Sequence, residues 1–152
     1  MDYYLVQGYY GFSLIFDVDW SWTYGFGNSE FLQRQFQLLS GVDISGLTYQ
    51  AKVDSFWGKS AQWHSFYSQI ANDVGILGLI PFMGLLGYYI SYTWHRAVYR
   101  NNFYSAALLP IFAILVIFIP ANNQIFGFID TFSYFFVVSF CQLGLSKKRS
   151  YV

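Results

Sequence analysis

Three apolar runs dominate the second half of the chain. The first, from Val74 to about Thr93, holds no charged residue and is punctuated by Pro81 and by Gly75, Gly78, Gly84 and Gly87. About 20 residues at ~1.5 Å rise reach across the hydrocarbon core of a bilayer, so a membrane-spanning helix is predicted there. The second run extends from about Phe103 to Pro120. Its Pro110 is expected to kink the helix and not to end it, because neighbouring helices can satisfy the freed backbone groups. The third covers about 125–145, with Asp130 near its outer end, and is joined to the second by the polar turn Ala121-Asn122-Asn123-Gln124.

The first half is patterned differently. Tyr3 to Phe16 is aromatic and aliphatic but broken by Gln7, Gly8 and Gly11, which suits either a segment lying along an interface or the emergence of a preceding helix. Residues 20–28, Trp-Ser-Trp-Thr-Tyr-Gly-Phe-Gly-Asn, read as an aromatic loop whose glycines and Asn28 supply turn conformations. Ser29 then reads as an N-cap and Gly41 as the residue past the end of a helix from Glu30 to Leu39. On that helix Phe31, Leu32, Phe36 and Leu39 share one arc, and Gln33, Arg34 and Gln37 the other, so Arg34 is presented to the outside. A second amphipathic helix is predicted from about Ser60 to Asn72, with Trp63, Phe66, Tyr67, Ile70 and Val74 as its apolar stripe and His64, Ser68 and Asn72 beside it.

Composition strengthens the membrane reading: 55% of positions are hydrophobic and only 11% charged, too apolar for an ordinary soluble domain. The zero net charge conceals an asymmetry. Residues 1–73 hold seven of the eight acids and three of the eight Lys/Arg, hence −4, leaving +4 for the remainder. The later positive charges fall in two clusters, His95-Arg96 to Arg100 and Lys147-Lys148-Arg149, each just after an apolar run. By the positive-inside rule both are cytoplasmic. The expected fold is therefore all-α and integral to the membrane, with spans of about 74–93, 103–120 and 125–145, a basic cytoplasmic tail, and residues 1–73 as an external segment. Met1-Asp2-Tyr3 has no basic stretch of the kind that opens a secretory signal. Cys141 is single and falls within a predicted span, which makes it a packing residue.

One short pattern carries chemistry. His64-Ser65 is followed after nine residues by Gly75-Ile76-Leu77-Gly78 at the mouth of the first span. This pattern resembles the signature of the bacterial O-antigen polymerase and O-antigen ligase family of integral membrane glycosyltransferases, whose members are considerably longer. The likeness covers only their C-terminal portion, so the chain is expected to be part of a larger protein. The resemblance implies transfer of a glycan from a polyprenyl-diphosphate-linked oligosaccharide to a sugar hydroxyl on the outer side of the bacterial inner membrane, in the building of O-antigen or a similar polysaccharide. The outer segment, with Tyr-Gly-Phe-Gly-Asn-Ser at 24–29, looks more like a repeat-unit polymerase than a ligase.

Such a transfer needs a group to orient or deprotonate the acceptor, and cations to neutralise the leaving diphosphate. His64 inherits the first role through the motif, since imidazole titrates near neutrality. Arg34 suits the second by its forked, permanent charge, although a solvated helix face explains it equally well. Lys59, Trp63 and Ser65 complete the expected substrate-binding set; Lys52 is a weaker candidate. Trp20, Trp22, Tyr24 and Trp57 could stack on sugars but fit interfacial anchoring better. Gly75 and Gly78 are expected to be structural, letting a neighbouring helix or lipid chain come close. His64 and His95 fall on opposite sides of the membrane, and no cysteine or carboxylate cluster completes a metal site, so no metal and no cofactor is expected. Partners are the lipid-linked oligosaccharide, the bilayer and other polysaccharide assembly proteins, with no basic pattern suited to nucleic acid. The competing reading is a non-catalytic membrane subunit of a polysaccharide assembly or export system.

Overall fold

The computed structural model describes residues 2–57 and 64–144, with side chains from Val6 onward, and every regular element among them is helical. In chain order these are α1 (Asp2–Leu14), α2 (Glu30–Ser40), α3 (Tyr49–Trp57), α4 (Phe66–Arg100), α5 (Phe103–Phe118) and α6 (Ile129–Gly144). Short 3-10 turns lie at Ile15–Asp17 and Ser45–Leu47. One helix, α4, is long and apolar enough to cross a membrane; α5 and α6 are shorter apolar helices of 16 residues each.

α2 follows its local signals closely. The Ser29 hydroxyl accepts from the Leu32 amide, and the chain leaves the helix through Gly41 at φ 71°. That conformation is inexpensive only without a Cβ. α3 has no counterpart among the predicted elements. It is started by Thr48, whose hydroxyl accepts from the Ala51 amide at 3.2 Å, an N-cap that satisfies one of the orphan donors of the first turn.

α4 is two helical stretches that meet at a kink. They correspond to the helix predicted over 60–72 and the span predicted over 74–93; in the described residues the first stretch begins at Phe66, capped by Ser65, and the second runs to Arg100. His64 precedes the helix instead of riding on its polar stripe with Ser68 and Asn72. The element is bent at Gly75, where φ 71° and ψ 172° occupy a region open essentially to glycine alone. A Cβ at Gly75 would approach the Trp20 ring at 3.7 Å, an ordinary contact, so the backbone conformation and not the approach of another helix demands glycine. A Cβ at Gly78 would meet the Val74 side chain at 2.8 Å, across the same bend. Both glycines thus serve the bend itself.

The C-terminal bundle packs α4 on α5 and α5 on α6. Its core is aromatic and aliphatic. Phe135 sits against Tyr89, Phe112, Phe126 and Phe136 at centroid distances of 5.3–6.3 Å, all four edge-on at 82–90°. Pro110 lies inside α5 without ending it, as expected. α6 starts at Ile129, later than predicted, because residues 122–128 form a turn in which Asn123 accepts from the Phe126 amide. The outer faces stay apolar: Leu77, Ile80, Leu85, Val137 and Phe140 are 60–84% exposed. Such surface is unfavourable in water and suited to lipid.

Candidate functional site

The site is built around the first turns of α4. In α3, Tyr49 and Gln50 are pinned to α4 by Asn72: its Oδ1 accepts from the Tyr49 amide at 2.8 Å, and its Nδ2 donates to the Gln50 side chain at 2.7 Å. One turn further along α3, this docking brings Asp54 opposite His64, whose Nε2 lies 3.0 Å from Asp54 Oδ1. The Phe66 amide donates to the Ile119 carbonyl at the end of α5, which holds the segment carrying His64 against the bundle.

His64 is enclosed, with 9% of its surface exposed. The Trp57 ring stands edge-on to the imidazole at 5.7 Å. Gly11 of α1 closes the other side: a Cβ there would lie 2.8 Å from Trp57 and 3.6 Å from His64 Nδ1. Among the described residues, Nδ1 is buried with no hydrogen-bond partner. A buried polar atom left unsatisfied costs about 1–3 kcal/mol.

Beside this pair opens a polar cavity of about 550 Å3. Asp54 lies on its wall and His64 does not, so the carboxylate separates the imidazole from the open space. Gln33 and Gln37 of α2, Gln50 of α3, Gln69 of α4, and Asn122 and Asn123 of the α5–α6 turn surround it with amides. Three carboxylates, of Glu30, Asp43 and Asp54, face one guanidinium, that of Arg34. Asp43 is held below the usual carboxylate range by hydrogen bonds from Ser45, so it carries its charge throughout the neutral range.

The expected residues are distributed unevenly around this cavity. Arg34 lines it but is drawn to Glu30 at 3.6 Å, with side-chain exposures of 76% and 82%. A pair so exposed contributes little to stability, and it leaves the guanidinium free to exchange partners. Ser65 is fully buried, its hydroxyl spent on the Ser68 amide, and does not reach the cavity. Lys59 and Trp63 lie outside the described residues, as does the basic tail at 147–149. Lys52 ties the aromatic loop down, its Nζ donating to the Asp19 carbonyl and the Ser21 hydroxyl at 2.6 and 2.8 Å.

Sequence reasoning passed over Asp54 and Asp73, and placed Asn72 only on the polar stripe with His64. Asn72 and Asp73 lie immediately before the bend. The Asp73 carboxylate accepts from the Thr23 hydroxyl, from the Gly27 and Asn28 amides, and from the Asn28 side chain. The Asn72 carbonyl, at the bend where the helical ladder is interrupted, is taken up by the Trp20 indole and the Thr23 hydroxyl. Trp20 is therefore an anchor for the bend. Tyr24 stacks on Phe36 of α2 at 5.9 Å, which joins the loop to the cavity wall.

Among the described residues no group of three or more His, Cys, Asp or Glu could hold a metal ion. No protein family, curated protein or solved structure matches the chain.

Proposed function

We propose that the chain acts in a membrane glycosyltransferase of the O-antigen polymerase type, extending a polysaccharide from a polyprenyl-diphosphate-linked donor on the outer face of the bacterial inner membrane. One observation carries the reading: the His64–Asp54 pair stands behind an amide-lined cavity at one end of an apolar helical bundle. In this reading α4, α5 and α6 cross the bilayer, and residues 1–73 lie outside with the cavity among them.

The cavity matches a sugar better than a phosphate. Amides offer both donors and acceptors to hydroxyl groups, whereas the surplus of carboxylates repels a diphosphate. The acceptor sugar accordingly occupies the cavity and the donor's diphosphate stays toward the lipid, beyond Arg34. An acceptor hydroxyl bonded to Asp54 attacks the anomeric carbon, the bond from that carbon to the diphosphate oxygen breaks, and the hydroxyl proton passes to the Asp54–His64 pair. His64 positions the carboxylate and shares the proton it receives.

Polymer length distribution in cells dependent on this protein tests the proposal. Asp54→Asn and His64→Ala should each abolish chain growth while the protein still inserts in the membrane. Wild-type ladders from both variants would remove the pair from the mechanism. A second reading, a non-catalytic assembly subunit, is favoured by Leu38 and Leu39 at the end of α2, 78% and 88% exposed and available to a partner protein. It predicts that both variants retain full polymer.

A further inference from the structure

At the opposite end of the bundle, Arg96 departs from the expected placement of a charge in the headgroup region. It is 8% exposed and packed between α4 and α6. A guanidinium carries five N–H donors. Here Nη1 donates to the Tyr92 hydroxyl and, at 3.5 Å, to the Gln142 carbonyl near the end of α6. The Gln142 side chain offers nothing further: its oxygen accepts from Tyr89, and its nitrogen donates to Thr93 and Ser105. Among the described residues Nε is buried without a partner, and the guanidinium's hydrogen bonds are those made by Nη1. No carboxylate pairs with Arg96 there either.

Arginine does not escape this situation by losing its proton. The Tyr92 ring also lies 5.3 Å from Arg96 Cζ, a cation–π contact that offsets part of the burial cost; with no counter-charge among the described residues, such a residue within an apolar helical bundle marks a site for an anion. The Nε–Nη2 edge is the one that receives two oxygens of an oxyanion side by side. On the same turns of α4, Trp94 and Tyr99 are 57% and 73% exposed, amphipathic rings of the kind that settle at headgroup level. We propose that Arg96 binds a phosphate oxyanion through this edge, supplied by the headgroup of an anionic lipid in the inner leaflet. The proposal rests on the membrane placement above but is independent of glycosyl transfer.

The full chain is reconstituted in phosphatidylcholine bilayers with or without phosphatidylglycerol, or with inorganic phosphate alone, and retained lipid is counted by native mass spectrometry. Phosphatidylglycerol should be retained selectively, and Arg96→Gln should lower that retention about tenfold, the equivalent of one charge-assisted contact. Arg96→Lys, which keeps the charge but loses the fork, should retain an intermediate amount, and Arg100→Gln should behave as wild type. Equal losses in the Arg96 and Arg100 variants, or equal retention of the two lipids, would overturn the proposal. Binding of inorganic phosphate in place of lipid would overturn the lipid source. A chain that fails to enter the bilayer at all defeats the membrane reading as well, whereas an inserted Arg96→Gln protein with unchanged lipid selectivity defeats this inference alone.

Discussion

The two ends of α4 are stabilised by opposite means. Before Gly75, the helix is held by polar groups: Asn72 and Asp73 together bind α3 and the aromatic loop through side-chain and carbonyl hydrogen bonds. Beyond Gly75, ring packing about Phe135 does most of the work, with a small polar cluster at the far end. Packing of this kind is spread over many weak contacts and tolerates partial loss. A polar hub is concentrated, so one substitution strands several partners at once. The cavity sits on the polar side of this division, where geometry is set by a few directional bonds.

The contrast can be broken most forcefully from the apolar side. Phe135→Ala should destabilise the bundle by about 3–5 kcal/mol, the usual cost of removing a buried aromatic ring. The loss would register as a lower denaturation midpoint in detergent, with the Trp20 environment last to change. Asp73→Ala removes the acceptor for four hydrogen bonds and should cost about 2–4 kcal/mol, confined to residues 20–28. Faster hydrogen exchange at Gly27 and Asn28, with the bundle unchanged, is the expected signature. Equal acceleration in α5 would show that the two regions unfold together.

Gly75→Ala sharpens the comparison at its boundary. The strain of a Cβ at that φ/ψ costs about 1–3 kcal/mol, and relief requires straightening the helix, which would withdraw Asn72 from α3. Trp20 fluorescence should shift accordingly. The smallest effect is expected with alkali. Burial, and then the nearby charge of Asp19, raise the Tyr49 phenol above its ordinary value of 10.0. The neutral phenol's contribution is complete below that ordinary value and is lost as pH climbs through the raised one. Tyr49→Phe should move the alkaline opening of the outer layer to higher pH, measured by the same fluorescence.

α2 was legible because its signals are local: a serine cap, an alternation of faces and a glycine exit all fall within a dozen positions. α3 escaped notice although Thr48 marked its start, because Tyr49–Trp57 has no capping glutamate and no clean apolar stripe. The apolar runs announced helices through composition alone, and the predicted boundary between the second amphipathic helix and the first span falls beside the bend at Gly75. Periodicity cannot show that Ser65 caps a helix lying after His64. Asp54 was invisible for a different reason. It meets His64 only through the docking of α3 on Asn72, a tertiary event with no trace in spacing. Arg96 misled by type: its position after an apolar run suggests a solvated charge, whereas the end of α6 covers it.

The interruption at Gly75 has a mechanical consequence. In a membrane, the lower part of α4 can lean to suit a thicker or thinner lipid layer. The tilt is absorbed at a joint that lacks continuous helical bonding, so the chamber formed by α2, α3 and the α5–α6 turn keeps its shape while the shaft beneath it moves.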